Sequence, residues 1–336
     1  MALSIDSLTA VTRDKFIPVM VDNIFNSNVL THKMLKESEP IASGNKVLQP
    51  IEYGKNSNVS FYEGYDTLAA TAQEVFTDAS YDWVQLRASI IYSGKEQALN
   101  SGSERVVDLI SAKVKNAEKA MKDAFGQQLF SDNDGTTVTG SAPLSSKGFI
   151  GLDHMISSSR KLGGITSTAS DYTWWDSHTT VATTGGSGSP SHTYTELAAG
   201  AIQDIIREMY GKCSIDNDVP NLIVVPQNIF DAYEESLSAQ KRFGAADSSL
   251  ADAGFTNLLY RGTPIVVDAN CPSGKMFFLN TKYLKFRHHS SRNFAFDGFQ
   301  KPINQDAAVA HIYWLGALVC SNPRMLGKVT NLPSGY

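Results

Sequence analysis

Cysteine is scarce in this chain: Cys213, Cys271 and Cys320 are the only three in 336 residues. Three scattered thiols cannot form a disulfide framework, so a reduced, cytosolic protein is expected. A basic surplus is missing too. The formal net charge of −5 excludes a protein that grips nucleic acid through a strongly positive surface, though not one that merely surrounds it. Long apolar runs are absent: Ala307–Cys320, the longest mainly apolar stretch, is too short to cross a bilayer as a helix and contains His311. The opening MALSIDSLTAVTRDKF has no charged start followed by an apolar core, so no secretory leader is expected. Reactive motifs are also lacking. No Gly-Lys pair is followed by Ser or Thr, and no His-Glu-x-x-His occurs. Gly185–Ser189 does not complete a nucleophile elbow, because Ser189 stands where a Gly is required.

The few residue groups with chemical potential read better as structure. His288 and His289 with Cys271 would make a poor zinc site, since adjacent histidines on a strand point to opposite faces. The run Asp132-Asn133-Asp134-Gly135 lacks an acid two residues earlier and has Ser141 where a calcium loop closes with Glu, so it reads as a surface turn. Trp174 and Trp175 have no basic neighbours and read as a packing cluster rather than a stacking platform for bases. Cys320 reads as a small buried hydrophobe. No catalytic residue, cofactor or metal site is expected.

Hydrophobic residues make up 42% and charged residues 19%, an ordinary globular composition. The strongest signal is Ser103–Phe130, where Val106, Ile110, Val114, Ala117, Met121 and Phe125 recur at helical spacing. Arg105, Lys115, Glu118, Lys119 and Lys122 fill the opposite face. Ser101 and Glu104 have the spacing of a capping box. A helix of that length, roughly 40 Å, needs a long partner surface. Two strand-like stretches supply it: Tyr81–Ser93 just before the helix and Ala307–Val319, which is apolar on both faces, with Met325–Asn331 returning beside it. Between them, residues 145–275 mix helices at Tyr194–Tyr210 and Pro226–Leu237 with strands at Asn221–Val225 and Thr263–Val267, an α+β or α/β region with its own core. Further strands are expected at Lys275–Asn280 and Tyr283–His288.

Residues 1–45 read as an arm with a short helix around Lys15–Phe25 and too little apolar content for a core of its own. Lys46–Tyr53 reads as a strand. The stretch after it, KNSNVSFYEGYDTLAATAQEVFTDAS, reads as a hairpin with an irregular tip, where Val59, Phe61 and Tyr65 alternate with polar residues. Its aromatics Phe61, Tyr62, Tyr65 and Phe76 suggest contact with another subunit. A strand pair folded back onto its own domain stays open at this stage.

This order of elements resembles the major capsid proteins of tailed bacteriophages, the Hong Kong 97 fold. The resemblance rests on the co-linear order together with local stretches: VLQPIEYGKNSNVSFYEGYD at 47–66, KLGGITSTASDYTWWDS at 161–177, MFFLNTKYLKFR at 276–287 and AAVAHIYWLGALVCSNPRMLGKVTNL at 307–332. It implies an α+β chain with an N-terminal arm (1–45), an extended loop (46–80) and a peripheral domain (81–146) carrying a spine helix at 103–130. An axial domain (147–270) and return strands (271–336) would follow. It further implies a non-enzymatic shell subunit that forms hexamers and pentamers of an icosahedral head. Portal, scaffolding and possibly decoration proteins would be its partners, and double-stranded DNA would be enclosed without sequence-specific contacts. The virion would be its destination and the host cytoplasm its place before assembly, with no membrane involved. Cross-linking by Lys55 is not implied, because no catalytic acid is placed beside it. Two other readings stay open: an encapsulin-like cellular cage and a soluble α+β enzyme.

Overall fold

The computed structural model describes residues 28–67, 71–99, 109–133, 147–158, 160–167, 170–182, 199–237 and 257–332. In chain order the strands are β1 (Glu39–Ile41), β2 (Val47–Glu52), β3 (Phe76–Tyr81), β4 (Val84–Ser93), β5 (Lys161–Leu162), β6 (Ile165–Thr166), β7 (His178–Val181) and β8 (Leu222–Val225). Then come β9 (Asn257–Tyr260), β10 (Thr263–Val267), β11 (Met276–Leu279), β12 (Leu284–His289), β13 (Ala295–Gln300), β14 (Ala307–Cys320) and β15 (Gly327–Thr330).

The two chain-distant stretches do meet. β4 and β14 pair antiparallel along their length, from Ala307 opposite Ser93 to Gly316 opposite Val84. β12 and β13 flank the other edge of β14, and β1 pairs parallel with β12, which completes a five-stranded sheet. The long helix Leu109–Leu129 lies on this sheet. Its stripe packs as its spacing dictates: Ala117, Met121 and Phe125 are buried and Val114 packs against the same core, while Lys115, Glu118 and Lys122 are exposed. Phe125 is the hub, with ring centroids 5.6 Å from Phe149, 5.6 Å from Phe286 and 4.5 Å from Trp314. The expected first turn, including the Ser101 cap, Arg105 and Val106, lies outside the described residues.

A six-stranded sheet runs β7-β15-β11-β8-β10-β9. β8 and β11 are buried on both faces. Leu222, Val224 and Phe277 face the core shared with the long helix. Ile223, Val225 and Phe278 face a second core, covered by the helices Ala199–Lys212 and Gln227–Ser236. Ile202, Ile205, Ile206 and Met209 make the buried stripe of the first of these helices. Residues 194–198, the expected start of that helix, lie outside the described residues.

Asp153, in the short helix Leu152–Met155, couples this sheet to the end of the long helix. Its carboxylate accepts from Lys275 and, at 2.7 Å, from Lys328 on β15. Burial alone pushes this carboxyl up, but the two lysines outweigh it and hold it below the ordinary carboxylate range. The same segment is tied to the helix end by Gln128 Nε2 donating to the Phe149 carbonyl at 2.9 Å and by Gly151 N donating to the Asn133 carbonyl at 3.0 Å.

Several expectations are corrected. Met325–Asn331 does not return beside β14: β15 sits between β7 and β11 in the six-stranded sheet, because the turn at Pro323–Met325 carries the chain out of the first sheet. β14 is buried on both faces only at its C-terminal end. From Val309 to Leu315 the odd residues are half-exposed, since no second layer among the described residues covers that face. Tyr81–Ser93 is broken at Asp82–Trp83 into the ends of two strands belonging to different sheets. A short helix, Gly94–Leu99, fills part of the expected turn. The arm carries a helix at Val29–Lys36, where none was expected. The expected helix at Lys15–Phe25 lies outside the described residues.

Candidate assembly surface

β2 and β3 pair antiparallel over six residues each and form a two-stranded ribbon separate from both larger sheets. A pair of strands alone is marginal in water, so its root must be held. Ser80 N donates to the Gly163 carbonyl at 2.8 Å. The glycine has φ +60, and a Cβ there would come within 2.7 Å of Ala79, so close backbone approach requires glycine. Tyr81 reaches into the core, where its hydroxyl donates to the Cys320 carbonyl at 2.7 Å and accepts from Cys320 N at 3.3 Å. Burial raises the Tyr81 pKa well above its ordinary value, so the hydroxyl keeps the proton it donates. Tyr53 stacks on Trp174 with centroids 5.1 Å apart, while Trp175 is buried and donates to the Leu162 carbonyl at 3.1 Å. The tryptophan pair thus packs the ribbon's base.

Beyond Glu52 the ribbon opens into a tip with no strand before Phe76 among the described residues. The tip is tied by its own polar groups. Ser57 N donates to Gln73 Oε1 at 2.8 Å, Asn58 Nδ2 to the Thr71 carbonyl at 2.8 Å and Glu63 N to Asp66 Oδ2 at 2.8 Å. Its large side chains are left out. Phe61 is 108% exposed, Tyr65 105%, Val59 81%, Phe76 71% and Tyr62 68%. All four aromatics named from the sequence stand outside both hydrophobic cores. Rings this exposed bury little surface within their own subunit, and a cluster of them is a candidate surface for contact with another chain. The alternation at 58–66 does not produce a strand within this subunit.

The remaining candidates have ordinary roles. Strand alternation puts His288 inward and His289 outward, and Cys271 is buried with its thiol directed to the Lys275 carbonyl. Asn133 is buried and donates to the Gly148 carbonyl at 3.1 Å, whereas 134–141 lie outside the described residues. Among the described residues no group of three or more His, Cys, Asp or Glu is placed to hold a metal ion, and no helix is long and apolar enough to cross a membrane. One surface escaped sequence reasoning. The outer edge of β4, at Gln85, Arg87 and Ser89, has no neighbouring strand among the described residues. Alternation of polar residues showed which face is outward but carries no signal for an unpaired edge.

Residues 57–333 match the family model of the SU10 major capsid protein. The chain belongs to the SU10 major capsid protein family. This capsid protein is the principal shell subunit of a tailed-phage head. No curated protein matches it in sequence. Among solved structures it is similar to the cyanophage A-1(L) capsid subunit, with a TM-score of 0.69 at 14% identity over 98% of this chain and 99% of that one. It is also similar to the capsid of an empty GTA particle, with a TM-score of 0.61 at 7% identity over 99% of each. The SrpI encapsulin of Synechococcus elongatus is similar as well, with a TM-score of 0.60 at 10% identity over 100% of this chain and 98% of that one. At such identities these likenesses show the fold, and that fold is the α+β Hong Kong 97 type in the capsid protein.

Proposed function

We propose that this capsid protein assembles into hexamers and pentamers of an icosahedral head around double-stranded DNA, with the extended hairpin as the strap each subunit lays on its neighbour. The observation that carries the proposal is the tip. Its aromatic side chains Phe61, Tyr62 and Tyr65 are exposed, while the hairpin's root is buried and pinned. In this reading the five-stranded sheet and long helix are the peripheral domain, the six-stranded sheet is the axial domain, and residues 1–45 are an arm across other parts of the shell. Portal and scaffolding proteins, with possible decoration proteins, would be further partners, and the subunit would pass from host cytoplasm to virion without catalysing a reaction. The net charge of −5 suits a wall that encloses DNA without adhering to it.

The encapsulin likeness supports a second reading, a cage around protein cargo. Purified particles treated with nuclease, then opened and assayed for nucleic acid, separate the two. The proposal expects protected double-stranded DNA of uniform length in particles from infected cells. Particles from those cells that hold only protein would overturn it in favour of the cage.

A further inference from the structure

The arm helix Val29–Lys36 is capped from outside itself. Asn28, its N-cap residue, makes no side-chain cap, and no acid stands in the first turn. The first amides of a helix need acceptors. The turn after β10 supplies one, bringing Asp268 to the helix start, where Oδ2 accepts from Leu30 N at 3.2 Å. Oδ1 accepts from Asn270 N at 3.0 Å, and Asn270 Nδ2 donates to Asn28 Oδ1 at 2.9 Å. The long helix meets this knot at Gly126, where a Cβ would collide with the Asn270 and Asn28 side chains. Val29, Leu30 and Met34 are buried in the core shared with the long helix. One carboxylate thus joins the arm, the long helix and the six-stranded sheet.

Keeping that carboxylate ionised is costly. Asp268 is 1% exposed, and among the described residues no cation pairs with it. The arm helix carries His32, Lys33 and Lys36, and Lys122 and Asp123 precede Gly126 on the long helix, but none of them bonds to Asp268. Burial pushes its pKa up to about 6, against the pull of the Asn270 and Leu30 amides. The Cys271 thiol beside it is held well above its ordinary value by burial and by Asp268, so it stays neutral. We propose that Asp268 is a proton-gated latch on the arm: the helix is held tightly while the carboxyl keeps its proton and loosens when the proton leaves. The sign follows from burial. Release of the helix returns Asp268 to water and to a pKa of about 4, so the docked state binds the proton more tightly. Docking is therefore strongest below about pH 4 and weakens about tenfold per unit up to about pH 6, roughly 100-fold in all. At neutral pH the latch is in its looser state, and Asn28, the residue it pins, is where residues 1–27 are attached.

Hydrogen exchange of the subunit between pH 4 and pH 7.5 tests the latch. Protection is read on peptides covering 29–36 and corrected at each pH for the exchange rate of an unfolded chain. Two neighbours of the arm respond to acid in the opposite sense: Glu39, held low by its bond to Lys285, and His288, held low by burial. They act alike in wild type and in Asp268→Asn, which cannot titrate, and cancel between the two. Relative to the variant, wild-type protection of the arm helix should fall by about 100-fold, most of it between pH 4 and pH 6. The helix Ala199–Lys212 should show no such divergence. Parallel profiles in the two chains overturn the proposal. Equal divergence in Ala199–Lys212 overturns it too, because the effect would then belong to the whole subunit. Should Asp268→Asn fail to fold, carboxyl-carbon NMR of the wild type decides instead. A buried aspartate that titrates near pH 6 is expected, and the absence of any aspartate titrating above pH 5 overturns the proposal.

Discussion

Replacing residues 55–74 with a short Gly-Ser turn should abolish shells and leave the subunit folded. The β2–β3 ladder and its root at Tyr81 survive the change, since both lie outside the replaced segment. The described residues of the deleted stretch belong to neither hydrophobic core, and loop shortening alters closure entropy only slowly, so stability should stay within about 1 kcal/mol. Assembly should respond far more strongly. An aromatic ring that moves from water into an interface removes about 150–250 Å² of surface. At about 25 cal/mol/Å² that is roughly 4–6 kcal/mol before ordering costs. Several rings are lost at once, and in the proposed arrangement every subunit both gives a tip and receives one. Circular dichroism and a thermal melt check the fold, and negative-stain imaging checks for shells. Normal shells from the shortened chain would show that the hairpin is not an assembly element. An unfolded product would place it in the subunit's own core.

Asp153→Asn should destabilise the subunit by a large margin, with a pH signature. The substitution keeps size but removes the charge that faces Lys328 and Lys275, whose side chains are 11% and 29% exposed. Breaking a buried pair costs about 3–5 kcal/mol because the partner charge is left uncompensated. The low end is expected here, since Lys275 keeps contact with water. Asp153 has a folded pKa held below its unfolded value, burial raising it and the two lysines lowering it further. Its stabilising contribution is therefore complete above the unfolded value of about 4 and disappears as pH falls through the folded value. Denaturant melts should show the full gap between wild type and variant at neutral pH and a shrinking gap below about pH 4. A gap that is absent at neutral pH, or that widens in acid, would remove Asp153 from the coupling between sheet and helix.

How much of this was legible depends on which force placed each element. The long helix could be read because Ala117, Met121 and Phe125 announce a buried stripe at helical spacing. β8 and β11 could be read because runs such as LIVV and MFFL are buried on both faces. The arm helix Val29–Lys36 could not. It has no side-chain cap of its own, and it is held from 238 positions away by Asp268, whose carboxylate accepts from Leu30 N. Val309, Tyr313 and Leu315 disguised the outer face of β14 as a second buried one. β15 was visible as a strand, but its sheet was not, because a turn rather than side-chain pattern chose its partners. The same distinction separates the two halves of the candidate site. Phe61, Tyr62, Tyr65 and Phe76 stand out in a polar stretch as rings with nothing to pack on. The open edge of β4 is a property of backbone pairing, which side chains do not encode.

The most direct measurement is a cryo-EM map of the assembled particle at a resolution that shows side chains. The account predicts continuous density for residues 58–66 lying across a neighbouring copy, with the rings of Phe61 and Tyr65 buried against it. Density that folds the tip back onto its own subunit, or leaves it free in solvent within an otherwise complete shell, would contradict the account.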